Sequence, residues 1–364
     1  MAEPSEDQIA RLRLIRSENI GPVTYFQLLA RFGSAAAAIA AIPDLAARGG
    51  GRGPRLASCA SVEREIERVA RLGARYLFLG QGPYPPLLAE IETAPPALIV
   101  RGHLALLDRP AIALVGARNA SAAACRFARG LAQKLGEAGS AVVSGLARGI
   151  DTAAHDGALE TGTIAVVAGG IDIFYPPENE ARQRAIAERG LLVSEQPPGT
   201  EPRARHFPSR NRIIAGLAQG TVVVEAAPRS GSLITARLAA EAGREVMAVP
   251  GSPLDPRAQG CNQLIRDGAT LIQNAEDVHE AVSPLRVRPF RTKELDYAPA
   301  DVPPDVPEDA RAAVAALLNG TPVPVDELVR QSSLPPAAVQ TVLLELELAG
   351  RLERHAGGKV SVVA

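Results

Sequence analysis

Tryptophan is absent from this 364-residue chain, and aromatic side chains make up only 3% of it. The packing of any core must therefore rely on alanine, leucine, valine and isoleucine, and a hydrophobic content of 46% is enough to fill a sizeable core. Because the length exceeds that of an ordinary domain, we expect two or three domains.

Cysteine is also scarce: Cys59, Cys125 and Cys261 lie far apart and form no Cys-x-x-Cys pair. This spacing argues against a zinc knuckle or a disulfide framework and is typical of a reducing compartment. The first residues lack the apolar core of a signal peptide, and no run of about 18 apolar residues predicts a membrane span. We therefore expect a cytoplasmic protein without a membrane span.

An excess of positive charge is lacking too, since the formal net charge is -1. A globally basic protein that coats nucleic acid without specificity is therefore disfavoured. A local basic stripe is still compatible with this charge. The segment Arg203–Arg212 is such a stripe, with four arginines, one histidine and no acidic residue.

From about residue 110, short apolar runs alternate with alanine-rich helical runs. The strand candidates are Ala111–Val115, Ala141–Val143, Thr163–Val167, Leu191–Val193, Thr221–Val224, Glu245–Val249 and Thr270–Ile272. Uninterrupted apolar strands are typical of a parallel sheet that is buried on both faces. Their alternation with helices indicates right-handed βαβ units. The sequence therefore predicts an α/β class protein with an extended Rossmann-like parallel sheet.

The flanks of this region differ from it. Residues 1–75 have helical spacing, and a Gly-Pro turn at Gly21 indicates a helix-hairpin-helix module, although a small helical packing module explains the same pattern. Prolines punctuate residues 284–307, which predicts a linker. Residues 308–364 contain three helical segments and a short hairpin, which predict a winged helix. The α/β domain then covers residues 76–283.

Ligands of open α/β sheets bind at the carboxyl ends of the strands, so the loops there are informative. The loop Gly116–Ser121 follows the first strand and carries Arg118, and the loop Ser144–Asp151 follows the second and carries Arg148. Glycine loops before a helix offer backbone N–H groups to an anion, and an arginine fork suits phosphate. Each loop alone is also explained as a tight turn, but two adjacent loops with arginines favour a phosphate site.

Neither loop matches a Walker A motif or a Gly-x-Gly-x-x-Gly motif, so ATP hydrolysis and a nicotinamide cofactor are disfavoured and no cofactor is expected. Arg210 and Arg212 are predicted to open a helix over Asn211–Ala218. Cations are unfavourable at a helix N-terminus unless an anion binds there. Phe207 beside them is interpreted either as a stacking partner for a base or as a core residue.

Acidic residues and a histidine near these loops raise the alternative of catalysis. Asp151 and His155 are one helical turn apart, Glu195 follows a strand, and Asp172 lies in a loop. However, the helix dipole explains Asp151, and no nucleophile elbow, metal triad or carboxylate pair stands out. We expect no catalytic residue and no metal site. A nucleotide-processing enzyme is the alternative hypothesis, and a module that binds a small nucleotide is the third.

Several motifs in order resemble the DprA/Smf family of DNA-processing proteins. They are Ser144–His155, Phe207–Ile214, Ser230–Ala236 and Val249–Gly251, with support from Tyr84–Leu88, Pro95–Leu98 and Tyr175–Asn179. The resemblance is dense over residues 80–275 and looser in the flanks. It implies an extended Rossmann domain, often after a SAM-like helical domain, and in some members a C-terminal winged helix.

The resemblance also implies function: binding of single-stranded DNA, homodimerisation, and delivery of that DNA to the RecA recombinase in natural transformation, with a chromosomal recombination role equally open. The nucleic-acid-binding residues that it implies are Arg118, Ser144, Gly145, Ala147, Arg148, Gly149, Phe207, Arg210, Asn211 and Arg212. One departure is Gly162, where several members carry a basic residue before the third strand. We expect Arg148 to supply the phosphate affinity lost there.

The third helix of the predicted winged helix carries Gln340, Thr341, Glu345 and Glu347 on its polar positions, and no lysine or arginine. In winged helices that read DNA, this helix enters the major groove. Acidic residues that face a phosphate backbone are repulsive. We therefore predict that this helix does not read duplex DNA and that it contacts a protein instead.

Overall fold

A computed structural model describes residues 4–283, 306–355 and 357–363. Nearly all of the predicted linker, 284–305, lies outside the described residues. The chain divides into two compact units. One contains residues 65–294, and the other combines residues 1–64 with residues 295–364.

The described residues contain fifteen α-helices. They are α1 (Glu6–Ile15), α2 (Pro22–Phe32), α3 (Ala35–Arg48), α4 (Cys59–Arg71), α5 (Pro86–Ala89), α6 (Ala122–Glu137), α7 (Ile150–Ala158), α8 (Glu180–Arg189), α9 (His206–Leu217), α10 (Gly231–Glu241), α11 (Gln259–Arg266), α12 (Ala275–Val282), α13 (Glu308–Ala316), α14 (Val325–Ser332) and α15 (Pro336–Leu348). No single helix among them is long and apolar enough to cross a membrane. By length and composition alone, α2 and α3 pass that test only as a pair, bent by 102°.

The same residues contain twelve strands in two sheets. They are β1 (Arg75–Phe78), β2 (Ala97–Gly102), β3 (Ala111–Val115), β4 (Ala141–Ser144), β5 (Thr163–Val166), β6 (Leu191–Ser194), β7 (Gly220–Val223), β8 (Glu245–Ala248), β9 (Thr270–Leu271), β10 (Val323–Pro324), β11 (Leu352–His355) and β12 (Lys359–Val362). The larger sheet has the order β1-β2-β6-β5-β4-β3-β7-β8-β9 and the smaller one β10-β12-β11.

The seven strands β3 to β9 are parallel, which confirms the predicted Rossmann-like sheet to within two residues at each strand end. The prediction missed β1 and β2. Strand β2 runs antiparallel to both β1 and β6 and so extends the sheet at one edge. Its sequence Ala97–Gly102 follows two prolines and has no helical run after it, so the βαβ rhythm does not reveal it.

The core of the sheet is built from small aliphatic side chains, as the scarcity of aromatics requires. Ile112, Leu114 and Val142 are fully buried in the central strands. Helix α6 packs Leu131 and Leu135 against them, and its cap Ser121 accepts a hydrogen bond from the amide of Ala124. Alanine and aliphatic side chains recur along one face of α6, and this apolar face packs against the sheet.

The strand order reverses at β3, which lies between β4 and β7. Such a switch point opens a crevice at the carboxyl ends of the two diverging strands. Here the loops after β3, β4 and β7 meet at that edge. The sheet therefore positions the candidate site.

The other unit contains the helices α1 to α3 and the winged helix, whose three helices and hairpin are as predicted. The two parts share one apolar core, because Leu344 and Leu348 of α15 pack with Leu28 and Ile42. The pattern of either segment alone does not reveal this contact.

Close packing in this unit explains the glycines at the end of α3. A Cβ atom added at Gly49 would collide with the backbone carbonyl of Glu345, and one at Gly51 would collide with that of Ala349. The guanidinium of Arg351 donates to the carbonyl of Gly49 at 3.1 Å. The glycine run is therefore a surface against which α15 lies.

The acidic residues of α15 are not directed at solvent, so the repulsion argument made for them is wrong. The Glu345 carboxylate is buried and accepts from Arg311 at 2.9 Å, and Glu347 accepts from Arg354 at 2.8 Å. That α15 does not read duplex DNA stays a prediction. Its physical basis is now burial of this helix against α3.

Candidate nucleic-acid interface

Two adjoining cavities lie at the carboxyl ends of the parallel strands. The first cavity has a volume of about 370 Å³ and the second about 650 Å³. The residues that line both of them are Arg118, Asn119, Ala147, Phe207 and Arg210. The two predicted loops and the basic stripe therefore do converge on one place.

Phe207 forms the wall between the cavities. The guanidinium carbon of Arg118 lies 5.2 Å from the centre of its ring, a cation–π distance, and the ring of Tyr175 lies 5.6 Å away. Phe207 is half-buried and Tyr175 is 45% exposed. The interpretation of Phe207 as a core residue is wrong, because its ring faces an open cavity.

The loop after β4 does not offer all its amides to a ligand as predicted. The carboxylate of Asp151 accepts hydrogen bonds from the amides of Gly145 at 3.1 Å and Ala147 at 3.2 Å. Burial raises the pKa of Asp151, while the Arg210 charge and these amides lower it. An internal anion thus occupies the place predicted for a phosphate.

Two further predicted residues of this loop support it without lining either cavity. The buried Ser144 hydroxyl donates to the carbonyl of Leu114 at 2.6 Å. Gly149 has φ +75°, and a Cβ atom there would collide with the carbonyl of Ala117. Both residues hold the loop after β4 against the loop after β3.

Arg210 lies on α9 at the base of both cavities and is buried. Its guanidinium donates to the carbonyls of Gly145 and Val166, the latter at 2.7 Å, and to the Asn211 side chain at 3.0 Å. Burial lowers the pKa of Arg210 to about 10, with Asp151 acting in the opposite direction. Arg210 is therefore charged at neutral pH, and most of its donors already have partners.

Arg212 does not reach either cavity. Its guanidinium donates to both carboxylate oxygens of Glu195, at 2.5 and 2.6 Å, and to the carbonyl of Thr93. Helix α9 begins at His206, so Arg210 and Arg212 do not open it. The argument from the helix dipole is therefore wrong, and hydrogen bonds within the protein explain both arginines.

Arg148 is exposed, lines the first cavity and forms an ion pair with Glu178. Gly162 directly precedes β5, at the amino end of the parallel strands. Both cavities lie at the opposite end. Gly162 therefore lines neither cavity, and the role of Arg148 in phosphate affinity stays a prediction.

The residues considered for catalysis do not form a reactive group. His155 is buried, its Nδ1 lies 2.7 Å from the hydroxyl of Thr163, and burial lowers its pKa to about 3. Glu195 is bound to Arg212, and Asp172 accepts from Arg68 at 2.7 Å. Among the described residues, no group of His, Cys, Asp and Glu side chains is arranged to hold a metal ion.

Three family models together cover most of the chain. The model described as DNA recombination-mediator protein A matches residues 75–283. A DprA-like N-terminal HHH domain matches residues 5–67, and a DprA winged helix domain matches residues 298–358. The chain belongs to the DprA/Smf family. A recombination mediator of this family is a DNA-binding protein and not an enzyme, so the alternative of a nucleotide-processing enzyme is not supported.

Relatives of this family align over long stretches. The protein Smf of Escherichia coli is 40% identical over 283 residues, which cover 76% of this chain and 74% of that protein. The DNA processing protein DprA of Streptococcus pneumoniae is 49% identical over 197 residues, which cover 54% of this chain and 70% of that protein. These alignments support the resemblance drawn from the motifs.

Two solved structures of DprA proteins are similar to this fold. The X-ray structure from Streptococcus pneumoniae has a TM-score of 0.64 at 34% identity and covers 80% of this chain and all of that one. A structure from Helicobacter pylori, described by its single-stranded DNA binding mode, has a TM-score of 0.53 at 28% identity. It covers 58% of this chain and 95% of that one.

Two residues that line these cavities are not among the predicted site residues. Tyr175 lines the first cavity and Arg229 lines the second. Both occur in or beside stretches that resemble the family, Tyr175–Asn179 and Ser230–Ala236. An exposed aromatic or arginine in such a stretch is the signal that could have identified them.

Proposed function

We propose that this chain binds single-stranded DNA at the first cavity and delivers it to the RecA recombinase, as part of natural transformation or chromosomal recombination. Membership of a recombination-mediator family supports the recombination role. The similarity to the Helicobacter pylori protein, whose structure is described by its single-stranded DNA binding mode, supports the choice of ligand.

The observation that carries the proposal is the composition of the first cavity wall. Tyr175 and Phe207 present aromatic rings, and the exposed arginines Arg118 and Arg148 stand at the same opening. Aromatic rings stack on unpaired bases and arginines bind the phosphates between them. Bases in a duplex are already stacked on each other, so this wall suits a single strand.

The predicted nucleic-acid-binding residues then have different roles. We propose that Arg118, Arg148 and Phe207 contact the strand, with Ala147 and Gly145 lining the pocket. A supporting role is proposed for the remaining residues, which are Ser144, Gly149, Arg210, Asn211 and Arg212. Homodimerisation and the RecA partnership rest on the family resemblance, and a cytoplasmic location rests on the sequence patterns; all three remain part of the proposal.

Fluorescence anisotropy with labelled oligo-dT across a salt series tests DNA binding. We expect submicromolar binding that weakens steeply as salt rises. Arginines that bind the phosphates release counterions from the strand, and a higher salt concentration opposes that release. A duplex of the same length should compete poorly. Absence of oligo-dT binding at low salt would sink the proposal. RecA filament formation on DNA coated with single-strand-binding protein, with and without this chain, tests delivery.

A further inference from the structure

The second cavity, with a volume of about 650 Å³, is the larger of the two. The loop between β7 and α10 forms one side of it, and Arg118 and Phe207 form the side shared with the first cavity. Its lining includes four arginines, which are Arg118, Arg210, Arg229 and Arg257. The acidic residue in the lining is the buried Asp151, whose carboxylate is directed at backbone amides.

Arg229 stands out among these arginines. It is exposed, and no hydrogen bond or ion pair joins it to another residue in the part of the chain that the structure describes. Arg257, in contrast, donates to Asp255 at 2.9 Å and lies 4.0 Å from Glu225. The backbone of Arg229 has φ +67°, a conformation that costs a non-glycine residue energy. The loop thus presents an uncompensated cation to the cavity.

The first turn of α10 adjoins Arg229. The amides of Ser232 and Leu233 donate to Ser230 at 3.4 and 3.1 Å. The amide of Gly231, the first residue of the helix, precedes them and has no such acceptor among the described residues of the loop. A Cβ atom at Gly231 would meet nothing within 4 Å, so there is open space in front of this turn. In the loop after β4, by comparison, the amides of Gly145 and Ala147 already donate to Asp151.

We propose that the second cavity binds a backbone phosphate of the same DNA strand whose base enters the first cavity, with Arg229 and the start of α10 as its partners. The inference rests on the proposed function, because the ligand is a phosphodiester only if a strand is bound. The shared wall of Arg118 and Phe207 means that a strand leaving the first cavity arrives directly at the second. Asn211 connects Arg210 to the start of α10. Its side-chain oxygen accepts from Arg210 at 3.0 Å, and its side-chain amide lies 3.5 Å from the carbonyl of Gly231.

The test compares three variants of the full chain with labelled oligo-dT across a salt series. Arg229→Gln removes the charge and keeps a side chain of similar length. Gly231→Glu places a carboxylate in the open space before α10. Arg237→Gln is the matched control, because Arg237 is an exposed arginine on the same helix that pairs with Glu241 at 3.5 Å. Thermal unfolding confirms that each variant is folded.

We expect Arg229→Gln to weaken binding about fivefold to tenfold and to lower the salt slope by about 0.7, the loss of one phosphate contact to a single strand. Gly231→Glu should weaken binding further, and Arg237→Gln should match the wild type. If Arg118→Ala weakens binding but Arg229→Gln and Gly231→Glu do not, this inference is wrong and the proposed function stands. An equal effect of Arg237→Gln also overturns it. If the wild type fails to bind oligo-dT, the proposed function itself is wrong.

Discussion

The guanidinium of Arg118 lies over the ring of Phe207 at 5.2 Å from its centre, at the boundary between two cavities. The cation is exposed and makes no ion pair within the described parts of the chain, so its charge is not compensated by the protein. The ring holds the guanidinium by a cation–π contact, which does not use its hydrogen-bond donors. The pair therefore places a cation and an aromatic ring side by side at the boundary of both cavities.

Arg118→Ala is expected to weaken oligo-dT binding about tenfold, equivalent to about 1.4 kcal/mol, because one phosphate contact is lost. The salt slope should fall by about 0.7. Since Arg118 is exposed, the free energy of unfolding should change by less than about 0.5 kcal/mol. Anisotropy and urea unfolding measure the two quantities. Unchanged affinity with unchanged slope would remove Arg118 from the site.

Tyr175 is expected to stack on a base. Tyr175→Ala should weaken oligo-dT binding by about 1–3 kcal/mol, the value of one base–aromatic contact. Tyr175→Phe keeps the ring and is the matched control, so it should bind as the wild type does. Because a stacking contact involves no charge, the salt slope should be the same in both variants. A loss of affinity in the Phe variant equal to that in the Ala variant would contradict stacking.

Arg210→Ala is expected to lower the free energy of unfolding of the domain, and not only its affinity for oligo-dT. The buried carbonyls of Gly145 and Val166 would lose their donor, and the Asp151 charge would lose its nearby cation. Leaving such groups unpaired costs about 2–5 kcal/mol. Urea unfolding gives the free energy, with Arg118→Ala as the exposed control. Equal stability of the two variants would show that the buried contacts of Arg210 contribute little.

The buried His155 should make the free energy of unfolding depend on pH. Burial lowers its pKa to about 3 from the ordinary value of 6.5, so between these values the unfolded chain binds the extra proton. The free energy of unfolding should therefore fall as the pH is lowered from 6.5 towards 3, by about 1.4 kcal/mol for each pKa unit spanned. The raised pKa of Asp151 acts with the opposite sign, since protonation of that carboxyl favours the folded state.

The comparison of His155→Gln with the wild type isolates the contribution of His155 to the pH dependence. Both proteins keep Asp151, so the contribution of that carboxyl cancels in the difference. Urea unfolding at a series of pH values should give a difference curve that is flat above pH 6.5 and changes as the pH falls below it. A difference curve that is flat throughout this range would mean that His155 does not carry the dependence.

The sequence was sufficient for the seven parallel strands and for the convergence of the two loops, but not for the roles of the individual arginines. Alternating apolar and alanine-rich runs predict β3 to β9 because burial on both faces leaves a local pattern. Arg210 and Arg212 look alike in the sequence, yet one lines both cavities and the other is bound to Glu195. Hydrogen bonds between residues far apart in the chain decide this difference, and no local pattern records them.

The contact between Gly49 and α15 is another feature that the local sequence does not show, and it gives a prediction for the other unit. Gly49→Ala would place a methyl group against the backbone carbonyl of Glu345, which has no rotamer by which to move away. We expect a cost of about 1–3 kcal/mol, typical of overpacking, and a lower unfolding temperature.

Gly53→Ala is the control, because its Cβ would lie 3.7 Å from that of Ala46, an ordinary contact. Oligo-dT affinity should be equal in both variants, since the cavities belong to residues 65–294. Stability of Gly49→Ala equal to that of Gly53→Ala would mean that α15 does not lie against the end of α3.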